Sequence, residues 1–262
     1  MKIDFYKYQG TGNDFIILDN RNGEYSAITN EMIKRLCERR IGIGADGLML
    51  FESQDGFDFK MIYFNSDGLR GTMCGNGGRC MTQFAYDIGL TRFTYRFIAS
   101  DGPHEAEITT DGIIRLKMSD VSFVEEHGTF SILDTGSPHY VKFVNDLSKL
   151  DVVEEGREIR NSKRFIENGI NVDFVEVKDD GKISIRTYER GVEDETLSCG
   201  TGVTAAAIAC SHNPKGFNRI EASTPGGQLS VEYNKIDEQH FSNIWLCGPA
   251  EFVFKGSIDV QY

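Results

Sequence analysis

The sequence predicts an α+β protein of two pseudo-symmetric halves, each made of several antiparallel strands and one main helix. Three observations predict it. A cysteine stands directly before a Gly-X-Gly turn twice, in Cys74-Gly-Asn-Gly77 and Cys199-Gly-Thr-Gly202. Other segments match at nearly the same offset and in the same order. Strand patterns outnumber helical ones in both halves.

The repeat carries the most weight. Cys199 minus Cys74 gives an offset of 125. Thr11–Ile17 reads against Thr135–Val141, Tyr63-Phe64-Asn65 against Tyr188-Glu189-Arg190, and Ile98-Ala99-Ser100 against Glu221-Ala222-Ser223. Each pair lies within two residues of that offset, which marks an internal duplication. The expected domains are 1–119 with 251–262, and 120–250. The last strand, near Glu251–Val260, has no place in the second repeat and is expected to return to the first half.

Taken in order, Asp58–Phe64, Tyr95–Ala99, Glu105–Thr109 and Ile113–Met118 have the alternation or β-branched content of strands, with Asp111-Gly112 as a hairpin turn. Asn171–Val177, Ile183–Tyr188 and Gln228–Tyr233 read the same way. A helix is expected over Glu31–Arg40 after a Thr29/Asn30 cap. Two more are expected over Gly77–Ile88 and Thr201–Cys210, each after its cysteine turn.

Composition narrows the function. The 262 residues carry 40 acidic against 28 basic side chains, a formal net charge of −12. That opposes a nucleic-acid or anionic-membrane partner, both of which need a basic face. There is no apolar run of membrane-spanning length and no signal-peptide core at the start, so a cytoplasmic location is expected. The six cysteines, Cys37, Cys74, Cys80, Cys199, Cys210 and Cys247, are irregularly spaced and form no C-x-x-C pair, which argues against a zinc ribbon or a disulfide framework. Gly42-Ile-Gly-Ala-Asp-Gly47 has dinucleotide-fingerprint spacing, yet it follows a helix and precedes a strand, the reverse of the required order.

A cysteine at a helix entrance has two uses. The helix N-terminus favours the reactive thiolate, and its open N–H groups bind carboxylates. Two such turns, meeting across an interdomain cleft, would set two thiols about one small molecule. One thiolate removes a proton from carbon, and the other thiol returns one to the opposite face. No pyridoxal lysine and no metal site is expected.

Asn65-Ser-Asp-Gly68 with Met73-Cys-Gly-Asn-Gly-Gly-Arg79, and Tyr188-Glu-Arg-Gly191 with Leu197-Ser-Cys-Gly-Thr-Gly202, resemble the diaminopimelate epimerase family. Gly10-Thr-Gly-Asn-Asp-Phe15 and Gly42–Gly47 match it too, so the resemblance spans nearly the whole chain. It implies a cofactor-independent enzyme interconverting LL- and meso-diaminopimelate in lysine and cell-wall precursor synthesis. It also implies two β-barrel-like sheets, each wrapped around a central helix, and a homodimer. Carried over residue by residue, it gives Cys74 and Cys199 the two-base roles. Gly75, Asn76, Gly200 and Thr201 contact the reacting carboxylate. Asn13, Asn65, Asn171 and Arg190 hold the distal amino-acid centre, Glu189 the reacting amino group, and His139 supports a thiol. Ser137 stands where the family often has asparagine. Alternatives are a proline-racemase-like enzyme, which carries histidine where this chain has Asn76, a thiol-free isomerase of the phenazine-biosynthesis type, and a non-catalytic module with a Cys74–Cys199 disulfide.

Overall fold

A computed structural model describes residues 1–260. The chain divides into two compact units: Met1–Leu116 with the C-terminal segment from Pro249, and Lys117–Gly248. In the first unit the strands are β1 (Lys2–Gly10), β2 (Asn13–Asp19), β3 (Gly47–Glu52), β4 (Phe59–Asn65), β5 (Thr94–Ala99), β6 (Gly102–Ile108) and β7 (Ile114–Lys117). The chain's last strand, Glu251–Asp259, pairs antiparallel along β1, from Lys2↔Asp259 to Gln9↔Glu251. Strand β1 pairs antiparallel with β2, β2 parallel with β3, β3 antiparallel with β4, β4 parallel with β5, and β5–β6–β7 is an antiparallel meander.

Each parallel pair needs a crossover, and each crossover holds a helix. Helix α1 (Asn30–Cys37) links β2 to β3, and α2 (Gly75–Asp87) links β4 to β5. They do different work. In α1 the Thr29 hydroxyl accepts from the Met32 N–H, and only the Met32, Ile33, Leu36 and Cys37 stripe is buried, against Leu48, Leu50 and Ile16. In α2 almost every residue is buried, including Arg79. A helix buried on all sides must be surrounded, and α2 packs on β1, β2, β3, β4, β6 and the last strand.

The second unit repeats this plan. Its strands are β8 (Val124–Glu126), β9 (Phe130–Asp134), β10 (Pro138–Phe143), β11 (Asn171–Val177), β12 (Ile183–Glu189), β13 (Asp194–Thr196), β14 (Gly216–Thr224), β15 (Gly227–Lys235) and β16 (Phe241–Gly248). The two parallel pairs, β10–β11 and β12–β14, are bridged by α3 (Val152–Arg160) and α4 (Gly200–Ala209). The antiparallel pairs β8–β9, β9–β10, β11–β12, β14–β15 and β15–β16 complete the order, with β13 added beside β12. Helix α4 is the surrounded one, with Val203, Ala205, Ala206 and Ala207 wholly buried. In this order β8 holds the place that the last strand holds in the first unit. Among the described residues, no helix is long and apolar enough to cross a membrane.

The expected elements form with shifted ends. Strand β6 begins at Gly102 instead of Glu105, and α1 stops at Cys37 instead of Arg40 because Glu38 is extended. The Gly42-to-Gly47 motif caps that end. Ile43 and Gly44 N–H groups both donate to the Leu36 carbonyl, and a Cβ on Gly42 would lie 2.1 Å from the Arg35 carbonyl oxygen. Both central helices begin directly after their cysteines, α2 two residues and α4 one residue earlier than expected.

Candidate active site

Each central helix begins on a cysteine. Cys74 is the N-cap of α2 (φ −100°, ψ 127°) and Cys199 the N-cap of α4 (φ −109°, ψ 111°). Neither thiol caps its own helix. The positive end of the helix macrodipole lies at these first turns, Gly75–Asn76 and Gly200–Thr201. None of the six cysteines is in a disulfide.

In the first unit the turn is held from below. Asn13, opening β2, presents its Oδ1 to the Cys74 thiol at 3.6 Å and to the Asn76 amide at 3.2 Å. The Asn13 amide donates to Asp46 at 2.7 Å. Arg79, one turn into α2 and wholly buried, donates to the Asn76 Oδ1 at 3.0 Å and to the Thr11 hydroxyl at 3.1 Å. So Asn13, Cys74 and Asn76 come together. Asn65, at the end of β4, is exposed and shares a turn with Gly71, whose Cβ would meet its Oδ1 at 3.3 Å.

In the second unit the corresponding turn rests on a polar chain. The Cys199 sulfur lies 3.4 Å from the Thr201 hydroxyl, and that hydroxyl lies 2.9 Å from His139 Nε2. His139 Nδ1 is 2.6 Å from Asp173 Oδ2, and both residues are wholly buried. The Thr187 hydroxyl donates to Asp173 Oδ1 at 2.7 Å. Ser137 Oγ sits 3.0 Å from His139 Nε2 and 3.2 Å from the Thr201 hydroxyl, and takes a hydrogen bond from the Asn171 amide at 3.1 Å. The Arg190 N–H donates to Asn171 Oδ1 at 2.8 Å, while the exposed Arg190 guanidinium donates to the Asn168 carbonyl at 2.9 Å. Ser137, His139, Asn171, Cys199 and Thr201 therefore form one cluster.

Burial pushes the Cys199 thiol well above its usual range, and the carboxylates of Glu189 and Asp173 add to that. The Thr201 hydroxyl and the Gly202 N–H pull the other way, and lose. The helix-entrance argument alone expects a lowered value; for Cys199, desolvation outweighs the helix end. Cys37, Cys80 and Cys210 are pushed up to about 12 by burial as well, as expected of thiols that only fill space.

The comparisons agree with one another. The family model of diaminopimelate epimerase matches residues 5–124 and 131–253. The diaminopimelate epimerase of Flavobacterium psychrophilum is 50% identical over 98% of this chain and 100% of its own length. That of Chlorobaculum tepidum is 45% identical over 95% and 98%.

The chain belongs to the diaminopimelate epimerase family.

A solved phenazine biosynthesis protein of the PhzF family from Bacillus anthracis covers 99% of this chain and 100% of its own at a TM-score of 0.76, with 15% identity. That likeness shows the epimerase-like fold: a sheet-dominated α+β architecture in two repeated halves. For an epimerase of this family, the sequence reading missed Asp173, Thr187 and Arg79. Asp173 had one visible signal, an acidic residue flanked by the apolar Val172 and Phe174 within a strand. Nothing marked Thr187, which is an ordinary strand residue.

Proposed function

We propose that this protein is a diaminopimelate epimerase, an isomerase that inverts one α-carbon of LL-2,6-diaminopimelate to give the meso isomer. The observation that carries the reading is the pair of cysteines at the N-caps of the two central helices. A carbon acid beside a carboxylate is made removable by stabilising the charge that develops on that carboxylate. The first-turn N–H groups of Gly75 and Asn76, and of Gly200 and Thr201, suit that task. One cysteine, as thiolate, takes the α-proton and becomes a thiol; the electron pair remains on the carbanion. The other cysteine, as thiol, gives its proton to the opposite face and becomes the thiolate. No cofactor is required by this balance, since the proton count closes on the two sulfurs.

The remaining roles follow the resemblance. Asn13, Asn65, Asn171 and Arg190 hold the distal amino-acid centre, where a guanidinium suits a carboxylate and amides suit an ammonium. Glu189 meets the reacting ammonium. Ser137 reaches the distal centre by a shorter arm than asparagine, through water. His139 supports Cys199. The enzyme works in the cytoplasm, where thiols stay reduced, and feeds lysine and peptidoglycan precursor synthesis. Phe252, Val253 and Phe254 on the last strand are about half exposed, and such apolar surface supports a homodimer.

The test is substitution. Cys74→Ala and Cys199→Ala should each lower epimerisation by about 10³-fold or more, with melting temperatures near wild type. A fully active single variant overturns the two-thiol scheme.

A further inference from the structure

A two-thiol reaction poses a problem at Cys199. One of its two forms needs a thiolate, yet Cys199 is only 8% exposed and stands near the Glu189 and Asp173 carboxylates. Releasing its proton to water would leave a second negative charge in a buried site that already holds Asp173. Such a charge is costly without a partner.

The side chains beneath α4 supply the partner. His139 Nδ1 has one neighbour, the Asp173 carboxylate, which can only accept. His139 Nε2 faces the hydroxyls of Thr201 and Ser137 at 2.9 and 3.0 Å, and the Asn171 amide at 3.4 Å. The hydroxyls can donate to it and can equally accept from it. The neutral ring is therefore fixed with its proton on Nδ1 and its lone pair on Nε2. Asp173 is itself held, because Thr187 donates to its other oxygen. The Thr201 hydroxyl is the shared link, 3.4 Å from the Cys199 sulfur on one side and 2.9 Å from Nε2 on the other.

We propose that Thr201, His139 and Asp173 form a buried proton relay that lets Cys199 become a thiolate without sending its proton to water. The step balances. The S–H bond of Cys199 breaks and its proton goes to Thr201 Oγ1. The hydroxyl proton of Thr201 passes to His139 Nε2. The products are a Cys199 thiolate and a His139 imidazolium, which Asp173 steadies through Nδ1–H. No electron is transferred, and the net charge of the four residues is the same before and after. The reverse shift returns the proton and restores the thiol. In this scheme the Thr201 hydroxyl, His139, Asp173 and Thr187 act through Cys199, and of these side chains Cys199 alone meets the reacting carbon.

Gly202 belongs to the same device. A Cβ there would lie 2.3 Å from Asp173 Oδ1 and 3.3 Å from His139 Cε1. The last residue of the Cys-Gly-Thr-Gly turn is thus side-chain-free to admit the His–Asp pair.

The inference rests on the two-thiol reading, but its test uses no substrate, so the two can fail separately. The rate of iodoacetamide alkylation at Cys199 is measured against pH on the reduced full-length protein, residue by residue by peptide mass mapping. Thr201→Val, which keeps shape and removes the hydroxyl, should slow Cys199 alkylation at pH 7 by about tenfold or more and move its profile to higher pH. Thr201→Ser should restore the wild-type profile. Asp173→Asn should behave like Thr201→Val. If Asp173→Asn does not fold, Thr201→Val decides. A Thr201→Val protein alkylated at the wild-type rate and with the wild-type profile overturns the relay. So does a Thr201→Ser protein as slow as Thr201→Val, since the effect would then be packing.

Discussion

The two units use one plan, and they differ most beneath their cysteines. Strand register makes the comparison residue by residue. In the first unit Phe15 opposes Gly47, Ile17 opposes Met49, and Met49 opposes Tyr63. In the second, His139 opposes Asn171, Val141 opposes Asp173, and Asp173 opposes Thr187. Phe15, Met49 and Tyr63 therefore hold the places of His139, Asp173 and Thr187. At these matched positions under α2 the side chains are aromatic or a thioether, with Phe15 and Tyr63 edge to face at 6.1 Å. Under α4 it is a hydrogen-bonded chain ending on a carboxylate. The duplication kept the backbone and the thiol while the support beneath the thiol diverged. The lesson is that the two thiols are not equally supported: Cys199 rests on the Thr201–His139–Asp173 chain, while Cys74 leans on Asn13.

The strongest way to break the comparison is at the matched glycines. Gly202→Ala drives a methyl into Asp173 and should cost about 3 kcal/mol of stability and most of the activity. Gly77→Ala meets the Met49 sulfur at 3.1 Å and the Met61 methyl at 3.2 Å, both on flexible side chains, with Cys74 Cβ at an ordinary 3.5 Å, and should cost about 1 kcal/mol. Equal losses in chemical denaturation would remove the distinction.

Arg79 gives the next effect. It has no charged counterpart in the second unit, where Thr204 stands at the matching turn of α4. Arg79→Met should destabilise by about 2 kcal/mol, because Asn76 and Thr11 lose a buried donor. It should also lower kcat by loosening Asn76 and Asn13. A variant with wild-type stability would show that Arg79 is mere filling.

The smallest effect lies at the β1–β2 turn. Asp14 pairs with Lys7 at 2.7 Å and Arg39 at 2.6 Å, where the second unit has Pro138. Burial alone would raise the Asp14 carboxyl, but Arg39 and Lys7 outweigh it and hold it well below the usual carboxylate range. A depressed folded value stabilises at neutral pH and loses that stabilisation as pH falls below about 4. Asp14→Asn should therefore cost about 1 kcal/mol at pH 7 and progressively less in acid. A gap that widens on acidification would contradict the sign.

Much of this was legible in the sequence. The duplication, the cysteine turns and the returning last strand all follow from colinear matches and strand patterning. A helix with no charged side chain, as in Val203–Ile208, already points to burial on every side. The His–Asp–Thr chain was not legible. Asp173 and Thr187 sit on separate strands, and only their register brings them under His139. The same holds for the early end of α1, which is set by Leu36 carbonyl contacts from a turn several residues on.

The most direct test of the two-thiol account is proton NMR of LL-diaminopimelate with the reduced enzyme in D2O. Two separate sulfurs predict that the meso product appears carrying solvent deuterium at the inverted carbon, while remaining substrate keeps its proton early on. Meso product that retains the original proton, or no conversion with all thiols verified as reduced, would contradict it.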